Sequence, residues 1–171
     1  MKNLMIDTET LGRTPNAIIL SIAAVKFEFS TDRIEKFSVN IDPADCRNYG
    51  LVSDKETIDW WKNQSNDALA AFTTDQITLD EALYKLSAFI GTEYRDMVVW
   101  ANGCAFDIPI LEWAYRAVQR KTPWKFWNIR DTRTIFKVCD IDMRTYERVG
   151  VYHNAVDDCL TQIKALKQAL A

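Results

Sequence analysis

Two acidic residues that are separated by one position follow a short apolar run near the start of the chain. Leu4, Met5 and Ile6 precede Asp7, and Glu9 comes two positions later. Residues i and i+2 of a strand lie on one face, so the two carboxylates are predicted to lie side by side at the end of a core strand. Buried charges of one sign are costly unless a partner or a metal ion compensates them. Two interpretations are open: a site for a divalent cation, or a strand end whose acids are hydrated.

A third acid, Asp107, follows a second apolar segment. Residues 98–100 are predicted to form a strand, and the sequence Asn-Gly-Cys-Ala-Phe of residues 102–106 separates that strand from Asp107. Ligands of open α/β sheets bind at the carboxyl ends of strands, which is where Asp107 is expected. The alternative is a helix N-cap, because a predicted helix with Pro109 in its first turn begins here.

The only histidine of the chain, His153, stands close to a further pair of acids. Asn154 is a predicted N-cap, and Asp157 and Asp158 follow at the start of the last helix. Acids at this position complement the helix dipole, and Asp157 suits that structural role best. His153 is either a packing residue or a group that exchanges protons near neutral pH.

Taken together, the three groups match the requirements of metal-assisted phosphoryl transfer. Several carboxylates are needed to hold two cations that stabilise the attacking and leaving oxygens. A side chain that titrates near neutral pH is needed to take a proton from water. The sequence supplies both, whereas structural roles alone would have to explain each acid cluster separately.

The segments that would position these residues alternate between strands and helices. Residues 17–29 and 34–41 are predicted to follow the first strand in a three-stranded antiparallel meander. Thr78 and Glu81 form a capping box at the start of a helix. The remaining predicted elements are a loop at 42–53, strands at 98–100 and 126–129, and helices at 56–62, 66–72, 79–90, 108–118, 132–138 and 156–170. This order predicts an α/β fold in which helices flank a mixed sheet, in a single domain of residues 1–171.

The charge of the chain argues against a protein that coats duplex nucleic acid. Its net charge is −3, with 21 basic and 24 acidic residues. A duplex-coating protein usually carries a basic face, but an enzyme that grips only a strand end needs less positive charge. Basic residues are concentrated in residues 116–148, where nine stand against four acids. This segment is either a phosphate-contacting surface or a solvated face.

Nothing in the sequence indicates a membrane protein or a secreted protein. No apolar run approaches the ~20 residues of a transmembrane helix, and the N-terminus has no signal-peptide pattern. The four cysteines are dispersed without a Cys-x-x-Cys pair. We therefore expect reduced thiols and a cytoplasmic location.

The acid motifs, read in order, resemble one known enzyme family. Asp7-x-Glu9, Asp107 in an Asn-Gly-x-x-Phe-Asp setting, and His153-x-x-x-x-Asp158 are similar to the motifs of the DEDDh branch of 3′–5′ exonucleases, which have a ribonuclease H-like fold. The start Asp-Thr-Glu-Thr-Leu-Gly, the Ile-Leu-Ser-Ile-Ala-Ala-Val strand and the Thr-Ile-Asp-Trp-Trp segment resemble a compact subgroup. That subgroup contains phage-type DNA exonucleases and adenylate-preferring exoribonucleases.

The resemblance implies a role for each motif residue. Asp7, Glu9 and Asp158 would hold one metal ion, Asp7 would bridge to a second, and Asp107 would act on the ions directly or through water. His153 would be the general base, and the family spacing selects Asp158 over Asp157. The implied cofactor is two Mg²⁺ ions, with Mn²⁺ as a substitute. The implied reaction releases nucleoside 5′-monophosphates from the 3′ end of single-stranded DNA or RNA.

The same resemblance implies that Thr10 and Leu11 contact the terminal nucleotide. The chain also has six tryptophans, and proteins that bind single strands stack bases on aromatic side chains, so Trp61 and Phe106 are candidates for base stacking, with core packing as the alternative for Trp61. Related short nucleases often form homodimers, so the basic segment could equally serve a partner subunit. The rival functions are a ribonuclease H-like endonuclease and a catalytically inactive nucleic-acid-binding protein.

Overall fold

A mixed sheet forms the centre of the computed structural model, which describes residues 1–92, 95–150 and 153–171. In the described chain the strands are β1 (Asn3–Thr10), β2 (Ile19–Phe27), β3 (Ile34–Ile41), β4 (Gln76–Ile77), β5 (Val98–Ala101) and β6 (Ile129–Asp131). They lie side by side in the order β4-β3-β2-β1-β5-β6. The pairs β1–β2 and β2–β3 are antiparallel, and the other pairs are parallel. The predicted meander and mixed sheet are confirmed.

Helices cover both faces of this sheet. They are α1 (Pro43–Asn48), α2 (Lys55–Trp61), α3 (Asn66–Ala70), α4 (Leu79–Ile90), α5 (Cys104–Ala117), α6 (Thr132–Val138) and α7 (Ala155–Ala169). None of the described helices is long and apolar enough to cross a membrane.

The alternation of side chains along β1 divides the core into two layers. Leu4 and Ile6 pack on one face, in a cluster that contains residues of α4 and α5. Met5 packs on the other face, in a cluster that contains Cys159 and Ile163 of α7. Because side chains alternate between faces, Asp7 is directed towards the α7 layer and Thr8 towards the α5 layer. A single strand therefore presents polar groups to both helices.

Four predicted elements differ from the structure. Residues 42–53 contain helix α1, which Asp42 caps by accepting a hydrogen bond from the Ala44 backbone N–H. The predicted strand over 17–29 is shorter, and Ala17 instead forms an isolated bridge with Val52.

The other two differences concern the second half of the sheet. The predicted strand over 126–129 is a 3₁₀ helix at Phe126–Asn128 followed by β6. Its two aromatic residues are exposed, so they do not form the buried apolar run that the pattern suggested. Helix α5 begins at Cys104, which places Pro109 inside the helix and not in its first turn.

Candidate active site

The pairing of β1 with β5 ends before β1 does. The parallel register runs from Asn3 opposite Val98 to Met5 opposite Trp100. Strand β1 continues to Thr10 with β2 as its partner, so Asp7 and Glu9 lie in the second half of the strand, near the end where the sequence predicted them. Both residues lie where the β1–β5 pairing has stopped, which leaves space for a cavity at the carboxyl edge of the parallel strands.

Helix α5 starts at this edge because a glycine and an aspartate fix its first turn. Gly103 has φ 97° and ψ 65°, and a Cβ at this position would lie 2.9 Å from Cζ of Arg133. Asp131 Oδ1 accepts hydrogen bonds from the backbone N–H groups of Gly103 and Cys104, at 2.9 and 3.3 Å. The strand-to-helix turn is therefore held from the neighbouring strand β6.

Asp107 is buried in the first part of α5 and faces β1. Its Oδ1 accepts hydrogen bonds from the backbone N–H and the hydroxyl of Thr8, at 3.0 and 2.7 Å. The helix is capped by Gly103, so the N-cap alternative for Asp107 does not hold. Asp107 is a buried carboxylate that β1 positions.

Helix α7 brings the last motif to the same place. Asn154 caps it, with its side-chain oxygen accepting from the N–H groups of Val156 and Asp157 at 3.1 and 3.3 Å. Gln162 Nε2 donates to Asp7 Oδ1 at 2.9 Å. Asp158 lies one turn before Gln162, on the same face of the helix, and forms an ion pair with Arg148.

Asp158, and not Asp157, belongs to the acid cluster. Ligand atoms of Glu9, His153 and Asp158 all lie within 4.8 Å of one another. The Asp157 carboxylate instead packs against the loop, where a Cβ on Gly150 would overlap it. The choice that the family spacing made is thus consistent with the observed geometry.

His153 lies at the entrance of α7 between two tryptophans. Its backbone has φ 60°, and its ring is 4.9 Å from the Trp60 ring and 6.0 Å from the Trp61 ring, both in edge-on arrangements. Burial, together with the positive charge of Arg148, lowers the pKa of His153 below its ordinary value. The imidazole is therefore neutral at neutral pH and able to accept a proton.

The buried carboxylates have strongly raised proton affinities. Burial, and then the charges of Asp107 and Glu9, raise the pKa of Asp7 well above its ordinary value. Burial and the charge of Asp107 raise the pKa of Glu9 to about 8. Burial raises the pKa of Asp107 to about 6, although the hydrogen bonds from Thr8 oppose the rise. Carboxylates in such a cluster ionise together only when positive charge is added, so this set of oxygen donors fits divalent cations.

The cavity around these acids continues into a second cavity of about 470 Å³. Its walls include Thr10, Phe106, Trp60 and Trp61. Trp61 is only 4% exposed and donates its indole N–H to the Thr10 carbonyl at 2.8 Å, which fits the core-packing alternative. Leu11 is partly buried and packs against the core. The more open aromatic face belongs to Trp60, which is 44% exposed.

Four residues of the site were missed by the sequence reasoning: Thr8, Trp60, Arg148 and Gln162. Thr8 could have been found, because it lies between two motif acids and alternation sends it to the opposite face. Trp60 adjoins Trp61, but the sequence does not show which of the two helix positions faces the cavity. Arg148 and Gln162 carry no local signal.

The comparisons with known proteins agree with this geometry. A family model described as a 3′-5′ exoribonuclease Rv2179c-like domain matches residues 2–170. An exodeoxyribonuclease of Enterobacteria phage T4 is 29% identical over 206 aligned residues, which cover 99% of this chain and 89% of the phage protein.

Solved structures share the fold at low sequence identity. The nuclease domain of 3′hExo, a DEDDh family member bound to rAMP, has a TM-score of 0.63 at 15% identity, over 98% of this chain and 90% of that one. Exonuclease X in complex with 5′ overhanging duplex DNA has a TM-score of 0.58 at 15% identity, with the same coverage. The cell-death related nuclease CRN-4 has a TM-score of 0.58 at 14% identity, and this chain, aligned over 98% of its length, spans 63% of CRN-4. The fold is therefore ribonuclease H-like.

Proposed function

The chain belongs to the 3′-5′ exoribonuclease Rv2179c-like family and is a DEDDh-type 3′–5′ exonuclease, and from this premise we propose how it acts and on what. It releases nucleoside 5′-monophosphates from the 3′ end of single-stranded nucleic acid, with two divalent cations and His153 as the general base. The observation that carries this proposal is the cluster of Glu9, Asp158 and His153 beside the buried Asp7 and Asp107.

Four carboxylates provide the positions for the cations. Asp7, Glu9, Asp107 and Asp158 line one cavity, and three of them have a pKa that is raised by burial. Hard oxygen donors of this kind suit Mg²⁺, with Mn²⁺ as a substitute. Bound cations supply positive charge that stabilises the attacking and leaving oxygens of the displacement.

His153 accepts the proton of the attacking water. The water oxygen forms a bond to the phosphorus of the last phosphodiester while its proton passes to the neutral imidazole. The bond from phosphorus to the 3′ oxygen of the penultimate nucleotide breaks, and that oxygen takes up a proton from solvent to become the new 3′ hydroxyl. The phosphate leaves on the released nucleotide. Contacts with Trp60 and Trp61 hold the imidazole ring in place.

The adjoining cavity accommodates the terminal nucleotide. Thr10, Trp60 and Phe106 line it, and the rings of Trp60 and Phe106 offer aromatic faces to an unpaired base. The family description names RNA and the phage relative is named for DNA, so the rates on matched DNA and RNA strands decide which sugar the enzyme prefers.

The test uses matched 5′-labelled single-stranded DNA and RNA oligonucleotides with Mg²⁺ or Mn²⁺. A ladder that shortens from the 3′ end and disappears with EDTA is expected, and the faster ladder identifies the substrate. A blocked 3′ end should stall the enzyme, whereas cleavage of the blocked strand would indicate an endonuclease. Binding without any ladder would indicate an inactive nucleic-acid-binding protein.

Matched variants test the metal assignment. Asp7→Ala should abolish cleavage without unfolding the protein, because it removes a metal ligand and also relieves carboxylate repulsion. Asp158→Asn should abolish cleavage too, whereas Asp157→Asn, which changes a neighbouring acid outside the cluster, should retain most of it. Equal activities of the last two variants would contradict the assignment.

A further inference from the structure

Two large aromatic side chains stand exposed on the 3₁₀ helix that precedes β6. Phe126 is 77% exposed and Trp127 is 58% exposed. Their rings contact each other edge-on, with centroids 4.9 Å apart. Adjoining apolar side chains that stay exposed on a folded protein indicate an interaction site, whereas single scattered ones do not.

Cationic side chains surround these two rings. Lys125 Nζ lies 5.8 Å from the centre of the Trp127 ring. Arg130 is exposed on β6, and its guanidinium donates to the carbonyl oxygens of Trp127 and Ile129 at 2.8 and 2.9 Å, beside the aromatic pair. The sign of the charge on this surface is therefore positive.

A basic groove of about 420 Å³ continues from Lys125 to the end of α5. Its basic lining includes Arg116 and Lys121, both exposed. Among the described residues that line it, Glu112 is the only acid, and it accepts a hydrogen bond from the indole N–H of Trp124 at 3.1 Å. The name aromatic–basic strip is used below for Arg116, Lys121, Lys125, Phe126, Trp127 and Arg130.

Strand β6 and helix α5 both connect the strip to the active site over short distances. Strand β6 is three residues long, about 10 Å, and its last residue, Asp131, holds the start of α5. Arg133, just beyond it, lines the catalytic cavity. Along the other route, α5 itself connects Asp107 to Arg116 over about 14 Å. One nucleic-acid strand of modest length can therefore reach both places.

We propose that the aromatic–basic strip binds the upstream, 5′-ward part of the single-stranded nucleic acid whose 3′ end occupies the active site. This inference rests on the proposed function. Proteins that hold single strands combine aromatic faces for the bases with a positive groove for the backbone, and the strip has both. A polyanion complements its charge, whereas a second copy of the strip would bring like charges together.

The strip should matter for long substrates and not for short ones. A trinucleotide is expected to occupy the active site and the adjoining cavity, whereas a 20-mer extends well beyond them and can also cover Trp127. For the double variant Phe126→Ala/Trp127→Ala we expect KM for the 20-mer to rise roughly tenfold or more with kcat unchanged. The kcat/KM for the trinucleotide should change less than about twofold. The single variant Trp127→Phe keeps both aromatic faces, so its KM for the 20-mer should stay close to the wild-type value.

Charge reversal gives an independent test. The variant Lys125→Glu/Arg130→Glu should weaken binding of the 20-mer and reduce the slope of its affinity against salt concentration. Lys36→Glu is a control for charge reversal elsewhere, to be compared with each single reversal at Lys125 and Arg130, because Lys36 is exposed on β3, on the other side of the sheet centre from β6. This control should leave both the affinity and the salt slope unchanged.

Three outcomes would overturn the proposal: unchanged kinetics on the 20-mer, an equal loss on the trinucleotide, or a change in molar mass by light scattering with 20-mer kinetics intact. The last would assign the strip to self-association. Should wild type cleave neither substrate, the proposed function has failed, but fluorescence anisotropy of the labelled 20-mer still tests the strip. Equal binding by wild type and the charge-reversal variant would then refute it.

Discussion

At the scale of single residues, His153 is held in an unusual conformation. Its φ of 60° lies in the left-handed region, which residues other than glycine adopt infrequently, although histidine is among the better tolerated. The edge-on contacts with Trp60 and Trp61 fix the ring at the wall of the acid cluster. Backbone and side chain are thus both constrained, which is consistent with the proposed role of His153 as a general base that accepts a proton from one side of the ring.

The catalytic role of His153 can be tested by chemical rescue. His153→Ala should lower kcat by roughly 10²–10⁴-fold, which is the usual contribution of a positioned base. His153→Gly should be equally slow but less strained, because glycine adopts this φ freely. Glycine also leaves a space beside Trp60, so added imidazole should restore part of the rate.

The rescue has an internal control in wild type, whose rate should not respond to imidazole. A stimulation of wild type, or a loss smaller than tenfold in His153→Ala, would show that another group takes the proton. The pH profile of the rescued variant should follow the pKa of free imidazole rather than that of the buried ring.

The acidic residues of the site could be predicted from sequence, but their partners could not. The resemblance and the strand ends predicted that Asp7, Glu9 and Asp107 lie together, and these three residues do line one cavity, because the position of each follows from local order along the chain. Gln162 reaches Asp7 across 155 positions, and this contact depends on how α7 packs on the sheet. The ion pair of Arg148 with Asp158 could not be predicted either, because a long side chain in a loop can point in many directions until tertiary packing selects one.

At the scale of elements, the start of α5 determines where Asp107 points. Gly103→Ala should destabilise the protein by about 1–2 kcal/mol, since a side chain is strained at positive φ, and its Cβ would also press on Arg133. Displacement of this turn would lengthen the hydrogen bonds from Thr8 to Asp107. We therefore expect a lower kcat as well as a lower free energy of unfolding, measured by denaturant titration.

Gly91→Ala separates these two effects. Gly91 also has positive φ, at 80°, but a Cβ there would meet no atom within 4 Å. This variant should lose stability and keep its kcat. If both glycine variants kept full kcat, the turn at Gly103 would not control the position of Asp107.

Two kinds of element were not predicted from the sequence: very short helices, and a segment whose apolar side chains are exposed although apolar residues are usually buried. Helix α1 has six residues, too few for an apolar periodicity, and only the Asp42-Pro43 start indicated it. The aromatic run at Phe126 was interpreted as a strand because large apolar residues are usually buried. Long periodic segments such as α4 and α7 were predicted well because one face of each packs on the sheet.

At the scale of the whole molecule, the acid cluster makes stability depend on pH when no metal is bound. A carboxyl whose pKa is raised by folding binds its proton more tightly in the folded state. It therefore favours folding below its unfolded pKa of about 4, and this contribution is lost as pH rises through the folded pKa. The folded pKa is about 6 for Asp107 and about 8 for Glu9, so the loss should extend from about pH 4 to about pH 8.

Thermal unfolding in EDTA and in Mg²⁺ measures this effect. The midpoint in EDTA should fall as pH rises across that interval, and Mg²⁺ should raise it more at the alkaline end, where the ligands are ionised. The variant Glu9→Gln should show a flatter profile in EDTA. A midpoint that rises steadily with pH in EDTA, or a Mg²⁺ effect that is larger at acid pH, would contradict this prediction.

The packing of α7 against β1 also has a consequence for the timing of biosynthesis. Asp7 is translated about 150 residues before His153, Asp158 and Gln162. A nascent chain can form the β1–β2–β3 meander early, because those contacts are local. Until α7 has left the ribosome and docked, that chain has neither the proposed proton acceptor nor the last carboxylate. The proposed site is therefore assembled only in the last stage of the synthesis of each chain.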